Sequence, residues 1–558
     1  MDLGVILPQA RIDALVGAGA WKNRTILDYL DDALARDPEM PAITDYNGEI
    51  GGELGGETNQ PTTISYGELD RLSRRLGLAL IKLGVGPGDV VSLQLPNWWQ
   101  FNALHLACAR IGAITNPLMP IFRERELSFM LSFGESKVVV APHSFRGFAY
   151  KPMIESLRGN LPNLEHAFYV GGDGADDFAT ALLAEPLEEA ADADAVLAAR
   201  RPGPNDVNEL IYTSGTTGQP KGVMHTANTT FGHLGTWIEH HGLNSGDKIF
   251  MASPLAHQTG FLYAILQPIM LGIEVILLDR WSAPVGVALM QKHGCTFTMG
   301  ATPFLSDLVE MPNVENFDLS KLRTFASAGA PIPPALVQKA VANFAFKVLS
   351  GWGMTECACP TICDPKDPDE KVWTSDGAPL PHSAVMVQRP DGSAADQGEE
   401  GLLKVRGASM FVGYLKKPEL HGTDDDGWFD TGDQAFMHPD GYIRITGRAK
   451  DIIIRGGENI PVVEVEDVLY RHPAVAEVAV VGIPDDRLGE LGCAFVTLKP
   501  GSSLALDEMI RYLGETGTAK QYWPEHLEVV DEMPRTASGK IQKFKLREMA
   551  EAFKRETS

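Results

Sequence analysis

Between residues 212 and 223 the chain reads YTSGTTGQPKGV. Glycines let backbone N–H groups turn toward one point, Ser and Thr hydroxyls add donors, and Lys221 adds a positive charge, a combination that suits a polyphosphate. The spacing is not that of the Walker loop, G-x4-G-K-[ST], because Lys221 follows Pro220 and precedes Gly222. By composition alone, a surface loop is the commoner meaning of such a stretch. Other residues with chemical potential are His257 in PLAHQTG, Glu356 in GWGMTE, Asp433 in GWFDTGD, Arg448 in TGRAK and Lys540 in PRTASGK. Taken singly they read as a capped histidine, a solvated carboxylate, a turn former and mobile basic side chains.

The elements that must position these residues follow an alternating plan. Ser65 and Glu68 have capping-box spacing, and the leucines behind them recur at helical intervals before the turn GPGD and the strand-like VVSLQL. Helix then strand recurs: a helix over residues 98–111, a helix around Leu127 before SKVVVAP, EVILLDR before a helix and CTFTM, then LRTFASAG and FKVLSGWG, each after a helix. Such alternation predicts parallel sheets with helices on both faces. The Gly-rich stretches after residues 209–211, 322–325 and 346–349 then fall beyond strand ends, where ligands of such sheets gather, and are expected to meet in one cleft. Near residue 447 the texture changes to a Gly- and charge-rich connector, TGRAKDIIIRGGENI, followed by helix, strands, helix and a basic loop. The predicted organisation is a large α/β domain over residues 1–449 and a small mobile α+β domain over residues 450–558.

Composition narrows the function classes. A length of 558 residues with 44% hydrophobic and 22% charged residues is that of a globular chain able to bury large cores. The 48 basic and 73 acidic residues give a net charge of −25, which repels nucleic acid and acidic membrane surfaces. Six cysteines, at 108, 295, 357, 359, 363 and 493, are too sparse for a disulfide scaffold and fit a reducing compartment. The C-x-C-x3-C cluster is poor zinc spacing and reads as small half-buried thiols. No signal peptide is expected at the N-terminus, and the apolar window 261–278 is interrupted by Gln267, Pro268, Gly272 and Glu274, so it reads as a buried helix, a turn and a core strand. The expected setting is the cytoplasm.

YTSGTTGQPKGV, PLAHQTG, SAGAP, GWGMTE, GWFDTGD, GYIRITGRAKDIIIRGGENI and PRTASGK stand in that order, and together they resemble the adenylate-forming superfamily of acyl-CoA synthetases, luciferases and peptide-synthetase adenylation domains. The resemblance runs from about Tyr66 to Lys543. It implies a two-step reaction in which ATP converts a carboxylic acid to an acyl-adenylate, with loss of pyrophosphate, and a thiol then displaces AMP. It further implies that Thr213, Ser214, Gly215, Thr216, Thr217 and Lys221 hold the β- and γ-phosphates, that Thr355 meets the α-phosphate and that Glu356 binds Mg²⁺. Asp433 would accept from the ribose hydroxyls with Arg448 beside it. Gly329, Ala330 and Pro331 would form a wall for adenine, and Trp352, with Gly353 and Met354 next to it, a stacking face where the family more often has tyrosine. His257 would position the carboxylate without acting as a base, since the acid is already ionised at neutral pH. Lys450 stands at the family's hinge, Lys540 would serve adenylation, and Gly457 would line the path of the pantetheine arm after rotation.

The resemblance therefore implies ATP, Mg²⁺ and CoA as cofactor and co-substrates and a small carboxylic acid as substrate, and leaves homo-oligomer formation open. Transfer to a carrier protein, a luciferase-like oxygenase and a non-catalytic nucleotide-binding regulator remain as alternatives. The acid pocket is expected from residues 231–242, 258–261, 300–303 and 327–329, which supply no carboxylate for the ammonium of an amino acid. The overall texture is most similar to medium-chain and cyclohexanecarboxylate-type CoA ligases of bacteria.

Overall fold

The computed structural model describes residues 3–46, 61–213, 220–329, 332–448, 453–455, 458–460, 462–485, 488–536 and 540–557. The first strong local signal is realised as expected: the Ser65 hydroxyl accepts the Glu68 N–H at 3.2 Å and starts the helix Tyr66–Lys82. Its Leu69, Leu72, Leu76 and Leu80 are buried, and it packs on the helix Trp99–Ile111. That second helix is buried on almost every side, which explains its weak amphipathic pattern: it lies inside the core, and it ends where Gly112 takes φ +69°.

Two sheets with parallel centres carry the large lobe. Among the described residues the six-stranded sheet runs in the order Lys221–Thr226, Val207–Thr213, Ile114–Pro117, Val90–Leu93, Ser136–Pro142, His166–Val170, and only its first pair is antiparallel. The nine-stranded sheet has a parallel centre that includes Pro41–Tyr46, Val275–Leu278, Ile249–Met251, Phe297–Gly300, Thr324–Ser327 and Lys347–Met354. Their central strands are buried runs of Val, Ile, Leu and Phe, as strands covered on both faces must be. One continuous apolar core joins the two sheets.

A third sheet was not foreseen within the large lobe. Ser383–Gln388, Gly401–Gly407, Phe429–Met437 and Ile443–Arg448 form a four-stranded antiparallel sheet with its own core around Phe411, Leu403 and Trp352. The C-terminal α+β region forms a further sheet, including Val475–Asp485 and Gly489–Leu498, against the helices Val462–Tyr470 and Lys543–Thr557. The expected boundary at 449/450, with Lys450, lies outside the described residues. No helix among the described residues is long and apolar enough to cross a membrane.

The antiparallel sheet is tied to the nine-stranded one at Gly377, whose carbonyl accepts the Ile443 N–H at 3.0 Å while the Asp376 N–H reaches the Ile443 carbonyl at 2.8 Å. Gly377 has φ +87°, and a Cβ there would stand 2.2 Å from the Ile362 carbonyl carbon. Gly377→Ala therefore combines strain with a backbone clash, and should cost about 2–4 kcal/mol of stability, read as a lower urea midpoint at unchanged slope.

Candidate functional site

The two described ends of the Gly- and Thr-rich stretch are antiparallel partners, Val207–Thr213 pairing with Lys221–Thr226 and Thr213 standing opposite Lys221. Ser214, Gly215, Thr216 and Thr217 lie outside the described residues, so the structure fixes only the residues that flank them. A segment over residues 408–416 runs beside the second strand: Val412 N–H donates to the Met224 carbonyl at 3.0 Å, and Leu415 N–H to the Gly222 carbonyl at 2.8 Å. This brings Tyr414 under Lys221, whose ammonium lies 4.8 Å from the ring centroid.

The strand Lys347–Met354 delivers the next pair. Gly353 sits where a Cβ would come within 2.0 Å of the Ala358 carbonyl oxygen, so only glycine allows the chain to fold back there. The corner that follows is bonded on both carbonyls. His225 Nε2 donates to the Thr355 carbonyl at 2.8 Å, and Phe411 N–H donates to the Glu356 carbonyl at 2.8 Å. The Glu356 carboxylate is buried, with Oε1 accepting from the Tyr414 hydroxyl at 2.7 Å. Burial raises its pKa, and the Tyr414 hydroxyl, Lys221 and Arg448 pull it back.

Asp433 and Arg448 are register partners on adjacent strands of the antiparallel sheet, joined by Nε–Oδ1 contact at 2.7 Å. The second carboxylate oxygen accepts the Trp352 indole N–H at 2.8 Å, and the Thr431 hydroxyl accepts the Asp433 N–H at 3.1 Å. Trp352, expected to offer a stacking face, is 7% exposed, packs in the core of the antiparallel sheet, and donates its indole N–H to Asp433.

His257 caps the short helix Gln258–Phe261, its Nδ1 accepting the Thr259 N–H at 3.2 Å. Burial, then the charge of Lys540, lowers its pKa to about 4, so the ring is neutral at pH 7 and carries its proton on Nε2. Lys540 comes from the far end of the chain to the same cavity, next to Gly329, where a Cβ would lie 3.5 Å from the lysine Cε. Burial lowers its pKa, Arg448 adds to that, and Asp433 and Glu356 oppose it. Gly353, Met354 and Thr355 line this cavity together with Gly329, while Ala330, Pro331 and Gly457 lie outside the described residues.

The remainder of the cavity wall is largely apolar: Leu262, Tyr263, Met299, Phe304, Ala358 and Cys359. Of the expected pocket segments, Gln258, Thr259, Ala301, Ala328 and Gly329 reach it. Residues 231–242 instead stand behind Tyr263, with His233 Nε2 2.7 Å from its hydroxyl and the Trp237 ring centroid 4.6 Å away. Sequence reasoning missed Leu262 and Tyr263, although they share a helical face with Gln258 and Thr259, four residues on. It also missed Tyr414, whose role depends on a contact across 58 residues of chain. Cys357, Cys359 and Cys363 are fully buried, not half-buried, and among the described residues no cluster of His, Cys, Asp and Glu could hold a metal ion by itself.

The AMP-binding enzyme family model matches residues 30–415, and the AMP-binding enzyme C-terminal domain matches residues 464–540. The chain is similar to the medium-chain fatty-acid–CoA ligase of Escherichia coli K12, with 35% identity over 95% of this chain and 91% of that one. It is 30% identical to a salicylyl-CoA synthase / salicylate adenylyltransferase of a Streptomyces species, over 97% of this chain and 96% of that one. Among solved structures it resembles an anthranilate CoA ligase in complex with anthranoyl-AMP, with TM-score 0.81 and 25% identity over 95% of this chain and 98% of that one. It also resembles ATP-bound MatB from Rhodopseudomonas palustris, with TM-score 0.80 and 26% identity over 95% and 99% of the two chains.

The imidazoles of this site carry a pH signature. Burial holds both His225 and His257 at about 4, against roughly 6.5 in an unfolded chain. Between those values the unfolded chain binds protons that the folded one refuses, so these groups favour folding fully above about pH 6.5 and lose that contribution as pH falls toward 4. Glu356, shifted upward, acts in the opposite sense. Urea midpoints should drop from pH 7 to pH 5, and His225→Gln should flatten the drop; an equal drop in the variant would remove His225 from the account.

Proposed function

The chain belongs to the AMP-binding enzyme family, and from that premise we propose that its cleft activates a carboxylic acid with ATP and passes the acyl group to the thiol of CoA. The observation that carries this reading is the meeting of Lys540, the neutral His257 donor and Thr355 at one apolar-walled cavity, with the Glu356 carboxylate and the Asp433–Arg448 pair close enough to act on the lysine's charge. In the first step a carboxylate oxygen attacks the α-phosphorus of ATP, the new P–O bond forms, and the bond to pyrophosphate breaks. Charge gathering on the phosphoryl oxygens is offset by the Lys540 ammonium, while His257 Nε2–H orients the attacking carboxylate. Asp433, aligned by its contacts with Arg448 and Trp352, accepts from the ribose hydroxyls, and Lys221 with the two described ends of the Gly-rich stretch receives the outer phosphates.

Mg²⁺ fits the residues present: Glu356 is a single buried carboxylate oriented by Tyr414, and Mg²⁺ is commonly held by one carboxylate with phosphates and water completing its shell. When bound, it would neutralise charge on the phosphates. In the second step the CoA sulfur attacks the acyl carbon and the bond to AMP breaks, leaving thioester and AMP. Lys540 has no task there, and the C-terminal domain is taken to rotate about Lys450, exchanging Lys540 for the face that bears Gly457.

The acid is an uncharged-tail one of medium length, or with a single ring. The cavity walls named above are apolar, and no Asp or Glu among the described lining residues could pair an ammonium group. The buried free thiols suit a reducing, cytoplasmic setting.

Pyrophosphate release should appear with straight medium-chain, alicyclic and aromatic acids, and thioester only when CoA is added. Release without any thioester from free CoA would favour a carrier-protein acceptor. Lys540→Ala should slow acyl-AMP formation by about a hundredfold or more yet leave thioester formation from presynthesised acyl-AMP nearly intact, measured for each half-reaction by rapid quench. Equal loss in both steps would place Lys540 in a structural role.

A further inference from the structure

The stretch before residue 30 is outside the part of the chain that the family model matches, yet it is built into the site. Residues 3–6 pair with the segment that carries Tyr414: Ile6 N–H donates to the Val412 carbonyl at 2.7 Å, and Lys416 N–H donates to the Leu3 carbonyl at 3.0 Å. The helix Gln9–Gly17 follows and sends Arg11 into the same segment. Its guanidinium donates to the Phe411 carbonyl at 3.1 Å and to the Met410 carbonyl, and lies 5.4 Å from the Trp21 ring centroid. Trp21 closes the arm, its indole N–H reaching the Ala408 carbonyl at 2.9 Å. The carbonyl that Arg11 holds belongs to the residue whose own N–H holds the Glu356 carbonyl, and Tyr414 three residues on holds the Glu356 carboxylate.

We propose that residues 3–21 form a positioning arm for the Thr355–Glu356 corner, with Arg11 as its centre, so that a segment outside the matched family region sets how well the cleft receives ATP and its metal. The inference rests on the adenylation reading and adds a residue to it. Two carbonyls turned toward Arg11 define which way residues 410–411 face, and hence where the Phe411 N–H and the Tyr414 hydroxyl point. A neutral side chain of equal length would leave those carbonyls buried without a donor, and the segment would relax to find one.

The test uses the full-length protein and the variants Arg11→Met, Arg11→Lys and Arg24→Met. Arg24 is a control of similar chemistry, with an ion pair to Asp32 and a stacking contact on Tyr29, and none of its contacts reaches residues 408–416. Hydrogen–deuterium exchange without nucleotide should be faster over residues 408–416 in Arg11→Met and normal in Arg24→Met. Pyrophosphate release should show the KM for ATP and the Mg²⁺ half-activation raised about tenfold in Arg11→Met, the KM for the acid little changed, and partial recovery in Arg11→Lys. Should Arg11→Met fail to fold, Trp21→Phe, which removes the donor to Ala408 and narrows the ring beside Arg11, should shift exchange and KM for ATP in the same direction. Wild-type exchange and ATP response in Arg11→Met, or an equal shift in Arg24→Met, would overturn the inference. A wild-type protein that releases no pyrophosphate with any acid would overturn the adenylation reading as well, so the two failures are distinguishable.

Discussion

Burying charge without losing it is the constraint around which this cleft is built. Glu356 and Asp433 are each about 5% exposed or less, and a carboxylate so placed needs donors to replace the lost water. Each has them: a tyrosine hydroxyl for one, an arginine and an indole N–H for the other. The two cations, Lys221 and Lys540, approach from different parts of the chain, and no single element supplies more than a fraction of the set. The site is therefore a property of how the sheets dock, and a fault in that docking would leave buried charges unpaired.

Docking is enforced at a few points where backbone meets backbone. Gly353 folds back against Ala358 with no room for a side chain, Gly377 joins the nine-stranded and antiparallel sheets, and residues 408–416 link the strand Lys221–Thr226 to the arm at residues 3–21. These contacts are made by main-chain groups, so they fix position without depending on rotamers. Side chains then complete the site: His225 and Phe411 hold the two carbonyls of the Thr355–Glu356 corner from opposite sides, which leaves the carboxylate little freedom.

Lys540 is the member of the set that does not rest comfortably. Burial and the neighbouring Arg448 both disfavour its ammonium, and only Asp433 and Glu356 oppose them. On the adenylation reading proposed above, a polyanionic substrate in the cleft would add the negative charge that this lysine lacks, and ATP binding and docking of the C-terminal region would then reinforce each other. Loss of pyrophosphate would remove much of that charge and favour return of the lysine to water.

The sequence by itself determined the alternating helix–strand order, the Ser65 cap, the Gly353 and Lys540 motifs and the class of chemistry, because each is written in neighbouring residues: periodicity, a capping pair, or a run of motif letters. The same local legibility stopped at the antiparallel sheet, where the inward positions of Phe429–Met437 include Thr431 and Asp433 among the apolar ones and so blur the period-2 pattern. Trp352 was legible as a residue beside the site but not as a donor to Asp433, since 81 positions separate the two. Tyr414 and Arg11 carried no local signal at all: an aromatic residue or an arginine in a loop or helix takes its meaning from what the fold sets opposite it. Tertiary structure alone decided those partners, because the energy that selects them, the replacement of water around buried polar groups, exists only once distant segments have closed over the cleft.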